Sequence, residues 1–408
     1  MEAILKQTSW LFLAQSITRV IGFFYTIFLA KTLGVAEFGL YVFALAYFSL
    51  ISSISDFGFN RYLIRELAKN KHKLSELVCN IGMLRLTLSA TVFAIFALGL
   101  YFLDADKLRV SLTLLAVLAI LPQSFALTVD GIFVVLKKLK FSSVSLLISS
   151  IVTAFLGLLL VSLGLGAFGA VNAMIFGQLA YLISLSIFLF LKGGFRLSSI
   201  RFEVIRRIIL GSLPYGLLGI LGLLYFRIDT ILLAYLRGNF ETGLYGVAYR
   251  FLEAVVFIPT ALGTALFPVM TRLHEFDRGK IKNLYIKSMK IMGFIALLIV
   301  FGYITILPYV IKEFLPNYLP SIDAIRILAL AIPFMFLHVP ASSVILSTDK
   351  YLGKIILLSL IPLSFNISMN LIFIPQYGFI AASWITVASD ILSFLLIFTF
   401  IQRYILKT

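Results

Sequence analysis

The sequence predicts an all-α polytopic membrane protein, with twelve transmembrane helices in two parallel six-helix lobes around a central cavity. Three observations predict it. The 408-residue chain is 61% hydrophobic and 13% charged, against a soluble norm of roughly 45–50% apolar and about 25% charged. Apolar runs of at least ~18–20 residues, enough to cross ~30 Å of hydrocarbon as a helix, follow one another from end to end and leave no stretch for a soluble domain. The chain also repeats itself: residues 29–44 recur 204 positions later as 233–248, with Gly34, Glu37, Gly39, Leu40 and Tyr41 matched by Gly238, Glu241, Gly243, Leu244 and Tyr245. Soluble solenoid repeats run to ~20–50 residues, whereas half a membrane transporter has this size.

The spans read, in order, 8–30, 39–59, 77–103, 109–135, 143–163 and 168–191 in an N-terminal lobe over 1–200. They continue as 208–234, 243–270, 288–311, 322–346, 352–374 and 379–402 in a C-terminal lobe over 201–408. The first begins at Thr8 and is interrupted by Arg19, so it reads as a span and not as a cleaved signal peptide. Between spans one and two lies the repeated block, whose glycines and Glu37 (Glu241 in the second half) suit a tight turn followed by a helix with an acid near its positive N-terminus. That is a structural role, preferred here to substrate contact.

Leu121-Pro122 is echoed by Ile332-Pro333, and Gly166-x-x-x-Ala170 by Gly378-x-x-x-Ala382. An even number of spans per copy gives both copies the same orientation, with the substrate route between them and alternating access by rocking of one bundle against the other. Prolines at 122, 214, 259, 268, 308, 333, 340 and 362 fall mostly in the second half, which is expected to hold more of the bent helices.

The net charge of +16 is a matter of location. Lys and Arg collect in the tails and even-numbered loops, while the odd-numbered loops and their edges hold only Lys31, Lys107, Arg109, Arg237 and Lys312. This asymmetry excludes a nucleic-acid partner and places both termini in the cytoplasm, beside anionic lipid head groups of the plasma membrane. Cys79 is the only cysteine, and His72, His274 and His338 are scattered without ligand spacing, so no disulfide and no metal site is expected. The chain has neither a Gly-x-x-x-x-Gly-Lys-Ser/Thr phosphate loop nor a Gly-x-Ser-x-Gly elbow. With odd-numbered loops of only about 4–10 residues it lacks a place for catalytic groups, and no catalytic residue or cofactor is assigned.

An ionised group near the bilayer centre costs ~2.5–3.5 kcal/mol or more, so each demands a cavity, a partner or a function. Arg85, Lys290 and Arg326 sit within two or three turns of span ends and are expected to snorkel. Arg19 lies mid-span on a polar stripe with Thr8, Gln15, Gly22 and Thr26, which faces a cavity or else lets Arg19 pair with a buried acid such as Asp56. Arg227 and Asp229, two apart, point to different partners, and Asp229 extends the stripe Ser212, Tyr215, Gly219, Gly222.

Arg250 and Glu253 have the spacing of a pair within one helix. Arg19, Arg227 and Arg250 against Asp229 and Glu253 leave one excess positive charge, which favours an anionic ligand, and guanidinium suits phosphate. Further stripes run along Ser49, Ser53, Asp56 and Asn60, along Gln123 with Asp130, along Ser359, Asn366 and Asn370, and along Ser383, Thr386, Asp390 and Ser393. For the last two sets plain helix–helix hydrogen bonding, at about 0.6 kcal/mol each, is the preferred reading.

Gln15-x-x-x-Arg19, the block Leu33-Gly-Val-Ala-Glu-Phe-Gly-Leu-Tyr41, Ser55-Asp-Phe-Gly-Phe59 through Arg65, and Arg227-Ile-Asp229 before Gly238 together resemble the polysaccharide transporter family. That family contains the Wzx-type oligosaccharide flippases of the MATE-like superfamily, and the resemblance covers essentially the whole chain. It implies a two-lobed monomer that moves a lipid-linked oligosaccharide to the outer leaflet, with membrane lipids and glycan-assembly proteins as its other partners.

In that reading Arg19, Arg227 and Arg250 bind phosphate. Gln15, Asp56, Asp229 and Glu253 complete the central cavity, and acids there could hold a coupling Na⁺ or H⁺. Cation-coupled multidrug antiporters of the same superfamily are the alternative. They often carry an acid in the first span, where this chain has Arg19, and the related lipid II flippases typically have two further spans.

Overall fold

The computed structural model describes residues 2–69, 73–192, 198–276, 278–347 and 351–404, which are helical with no strand. In order the helices are α1 Glu2–Leu33, α2 Val35–Asp56, α3 Phe59–Lys69, α4 Leu74–Leu103, α5 Lys107–Leu118, α6 Ile120–Val135, α7 Leu139–Leu160 and α8 Gly166–Leu191. They continue with α9 Phe202–Arg237, α10 Asn239–Phe276, α11 Arg278–Thr305, α12 Leu307–Phe314, α13 Ser321–Ala329, α14 Ile332–Leu346 and α15 Leu352–Tyr404.

Among the described residues nine helices are long and apolar enough to cross a membrane, or ten if α13 and α14, bent by 41° where Pro333 begins α14, make one span. This is a multi-pass membrane protein. The count is below the twelve expected; residues 139–191 and 353–404 each run as one helical stretch, of 53 and 52 residues. At ~1.5 Å per residue each would reach roughly 80 Å if straight. Neither is straight: Gly164 (φ 86°) and Gly166 (φ 54°) break the first around a π turn, and Gly378 (φ 58°) breaks the second. Both breaks fall between predicted spans.

These breaks explain the repeated block. Gly34 (φ 76°) and Gly238 (φ 84°) turn the chain between α1 and α2 and between α9 and α10, with open space where a Cβ would sit, so backbone conformation alone demands glycine there. Glu37 then accepts from the Ala167 amide at 2.7 Å, and Glu241 from the Phe379 amide at 2.9 Å. The acid therefore serves the helix that restarts after the glycine break and not the start of its own helix, as the spacing had suggested. That restart exposes unpaired amides, which a carboxylate satisfies with help from the helix dipole. A Cβ at Gly166 or Gly378 would collide with the carboxylate of Glu37 or Glu241. E37A and E241A are each expected to cost about 1–2 kcal/mol by loss of this cap, read as a lowered unfolding temperature in detergent.

By compactness the chain divides into Met1–Leu223 and Leu224–Thr408, a boundary inside α9. In the first unit α1 packs on α7, α7 on α8, α2 on α5, and α6 on both α4 and α8. The start of α9 belongs here, because Ile208 is buried with Phe59, Tyr62, Leu63 and Leu67. The segment entering α9 is tied to α4: Asn80 receives the Arg201 amide at 2.9 Å and donates to the Ser199 carbonyl, while the Ser198 amide donates to Cys79 Sγ.

Left-handed Phe57 (φ 45°) and Gly58 (φ 75°) separate α2 from α3 and let the chain press against α9, so closely that a Cβ at Gly58 would lie 2.6 Å from the Gly216 nitrogen. G58A combines a forbidden conformation with overpacking, and is expected to cost about 2–5 kcal/mol, measured as lost thermal stability.

The turn between α4 and α5 is held by charge. Asp104 takes two bonds of 2.7 Å from Arg109, and Asp106 caps α5. Burial works to raise the Asp104 carboxyl, but the Arg109 bonds and the Asp106 amide outweigh it and hold it below the usual carboxylate range. In the second unit α10 packs on α13 and α14, α11 on α14, and α14 on α15.

Candidate functional site

In the first unit α2 ends at Asp56, and the left-handed turn that follows brings Asn60 of α3 alongside it. Arg85 of α4 fills the space between them. It makes an ion pair with Asp56 and donates to Asn60 Oδ1 and Thr128 Oγ1, both at 3.1 Å, with the Phe59 ring 5.9 Å away. At 1% exposure Arg85 does not snorkel, contrary to the expectation from its distance to a span end. The physical reason is that α4 packs on α6 and α2, where an aspartate, an amide oxygen and a hydroxyl replace its water.

Asp56 is therefore paired with Arg85. Asp130 lies in the field of Arg85 and against Ser142 and Tyr181 of α7 and α8, whereas Gln123, placed on the same stripe, accepts from Ser52 at 2.7 Å. On α1, Arg19 is exposed and Gln15 half-buried. Thr26 is buried and donates to the Gly22 carbonyl of its own helix, so that end of the stripe serves packing. The side chain of Thr8 lies outside the described set.

In the second unit Arg227 and Asp229 diverge, as their spacing requires. Arg227 pairs with Glu253 at 2.7 Å, and Arg250 pairs with the other oxygen of the same carboxylate at 3.1 Å. The three side chains are 22%, 33% and 24% exposed for Arg227, Arg250 and Glu253.

Asp229, 2% exposed, receives Asn370 Nδ2 at 2.6 Å, Thr386 Oγ1 at 2.7 Å and the Tyr245 hydroxyl at 3.1 Å. Asp390 receives the Tyr225 hydroxyl at 2.7 Å. Among the described residues neither acid is in an ion pair, and Asp390 Oδ2 and Asn370 Oδ1 are buried without a hydrogen bond. Asn366 and Ser389 extend the network.

Helix–helix hydrogen bonding, expected for the polar residues of spans eleven and twelve, is present, but it converges on two carboxylates. Ser359 and Ser383 merely donate to their own helices.

Sequence reasoning missed Arg85 and the pairing of Asp390 with Tyr225. The available signal was the unpaired acids themselves, since Asp56 with Asn60 one turn on, and Asp390 within an apolar span, each require a partner.

Long apolar helices and an internal repeat broken at corresponding glycines mark a multi-pass membrane protein of transporter type. Residues 4–274 match the polysaccharide biosynthesis protein family, and the chain belongs to it. It is similar to the probable flippase AglR of Haloferax volcanii, 23% identical over 172 residues that make up 40% of this chain and 35% of that one. Among solved structures, the lipid II flippase MurJ in an inward closed conformation has a TM-score of 0.78 at 17% identity, covering 96% of this chain and 87% of that one. An inward-facing MATE multidrug transporter of the MOP superfamily has a TM-score of 0.75 at 16% identity, covering 95% and 98%. These likenesses show the fold.

Proposed function

We propose that the protein is a flippase that carries a lipid-linked oligosaccharide, a glycan on a polyprenyl phosphate or diphosphate, from the cytoplasmic to the outer leaflet of the plasma membrane. Two lobes over 1–200 and 201–408, each of six spans, would do this by alternating access around a central cavity, with the 53- and 52-residue stretches each crossing twice and both termini cytoplasmic. The observation that carries the reading is the partly exposed cluster in which Glu253 takes both Arg227 and Arg250, in a chain of the polysaccharide biosynthesis family.

Guanidinium groups bind phosphate by directed hydrogen bonds. Arg19 and Gln15 are assigned to the same ligand from the first lobe, and Asp56, although tied to Arg85, lines that side. The lipid tail stays in hydrocarbon, so no apolar pocket is needed. The chain acts as a monomer that receives its substrate from glycan-assembly proteins. The test is complementation of a flippase-deficient strain by wild type and by R19A and R227A. Normal export by both variants sinks the assigned roles, and a drug-resistance profile on expression would support the multidrug alternative.

Asp229 and Asp390 supply the coupling. Both carboxylates are buried and, among the described residues, neither is in an ion pair, a costly arrangement that a bound cation would relieve. The unpartnered oxygens of Asp390 and Asn370 suit a bound proton or sodium ion. D229N removes the charge and keeps the shape, so uptake driven by an imposed ion gradient should fall at least ~10-fold in vesicles while equilibrium exchange of substrate persists.

A further inference from the structure

We propose that α3 and the start of α9 together bind an anionic phospholipid, its head group on their arginines and an acyl chain along an apolar track on α9. Both segments fall in even-numbered loops, where lysine and arginine collect. α3 buries Phe59, Tyr62, Leu63 and Leu67 and turns Arg61, Ile64 and Arg65 outward. Gly58 lies against Gly216 and Tyr62 against Gly211, so α3 runs antiparallel to the first half of α9. Arg65 donates to the Tyr215 hydroxyl at 2.7 Å, and Ile208 is buried in the same core as Tyr62. The two helices therefore present one fixed surface.

Arg61, Arg206 and Arg207 are exposed on it, and among the described residues none of the three is in an ion pair. The acids at this end are Glu66 and Glu203, while Glu76 faces Arg201 at 3.5 Å. Guanidinium groups suit a phosphodiester by directed hydrogen bonds, and each cation at an anionic membrane surface adds about fivefold in affinity. What marks the ligand as a lipid, and not a soluble anion, is the path leading away from the charge. Arg206, Leu210, Leu213 and Leu217 follow at steps of 4, 3 and 4, so they share one face of α9, and all four are exposed. That face offers about 16 Å of helix with a cation at one end and leucine along the rest, the arrangement by which a head group and its chain are held together. Ile64 on α3 adds an apolar contact between Arg61 and Arg65.

The test uses the full chain in detergent and counts bound lipid by native mass spectrometry. Phosphatidylglycerol is the probe, phosphatidylcholine the uncharged control, and farnesyl phosphate stands in for a carrier-lipid phosphate. Wild type should retain phosphatidylglycerol in preference to phosphatidylcholine, with an affinity that falls as salt is raised. R61Q/R206Q/R207Q should weaken it on the order of 10- to 100-fold. K282Q/K287Q/K290Q removes as many exposed charges from the start of α11 and should leave binding unchanged. R206Q alone should lower affinity about fivefold, and it carries the test if the triple arginine variant does not yield folded protein.

Unchanged binding by R61Q/R206Q/R207Q overturns the site, and so does an equal loss in the arginine and lysine variants, which would mean a diffuse attraction to the whole positive side. Binding of farnesyl phosphate but not of phosphatidylglycerol at these arginines would make the surface a loading point for substrate and overturns the phospholipid assignment. This surface binds lipid whatever the protein transports, so R227A, which tests the flippase reading, should hold phosphatidylglycerol as wild type does.

Discussion

R227A is expected to abolish glycan export while the protein still inserts into the membrane at normal levels. The loss removes a charge-assisted contact to phosphate, for which roughly 1.5–3 kcal/mol, or about 10- to 150-fold in rate or affinity, is the usual range. Stability should change little, because Arg250 still neutralises Glu253 at 3.1 Å and both groups are partly solvated. R227K should recover only part of the activity, since an ammonium keeps the charge and forfeits the planar donor set. Complementation measures export, and membrane fractionation with a folding assay in detergent measures insertion. Wild-type export by R227A, or its failure to insert, would remove Arg227 from the transport role.

R85A should produce the opposite pattern, a folding defect. Arg85 is 1% exposed and joined to Asp56, Asn60 and Thr128. Its loss leaves Asp56 without its cation, with Asp130 close by and also uncompensated. Breaking a buried pair from one side costs about 3–5 kcal/mol, a large share of what a domain has to spare. Thermal unfolding in detergent should show a marked drop or no folded material.

The double variant R85L/D56L should regain much of that stability, since apolar residues of similar volume replace buried ions at little net cost. Equal instability of the single and double variants would mean that Arg85 acts through its packing on Phe59 and not through its charge. Export by R85L/D56L then separates the roles of Asp56: retained export makes it structural, and lost export keeps it among the substrate-handling residues.

Much of the second unit's chemistry was legible in spacing. Arg227 and Asp229 have different partners because they sit two apart on a helix, and Arg250 with Glu253 has the separation that lets one helical turn close a pair. What spacing did not reveal is that Glu253 answers to both arginines, or that Asn370 and Thr386 converge on Asp229 across 141 and 157 residues of chain. Arg85 was misread for a related reason. Distance to a span end measures depth along one helix, and depth says nothing about which neighbour stands opposite.

By itself the sequence determined the membrane class, through composition and run length. It also determined the half-chain repeat, and with it the paired carboxylates Glu37 and Glu241 and the paired glycines Gly166 and Gly378, although not that the helix breaks at those glycines or that each acid caps the break. Tertiary structure alone decided which buried charges meet. In a soluble protein a polar face and an apolar face announce how a helix is turned, but in lipid both the packed face and the outer face are apolar, so hydropathy carries little rotational information. Only the packing of α4 on α2, and the approach of α10 and α15 side chains to Asp229 of α9, seen in three dimensions, show where Arg85 finds Asp56 and where Asp229 finds its amide and hydroxyl donors.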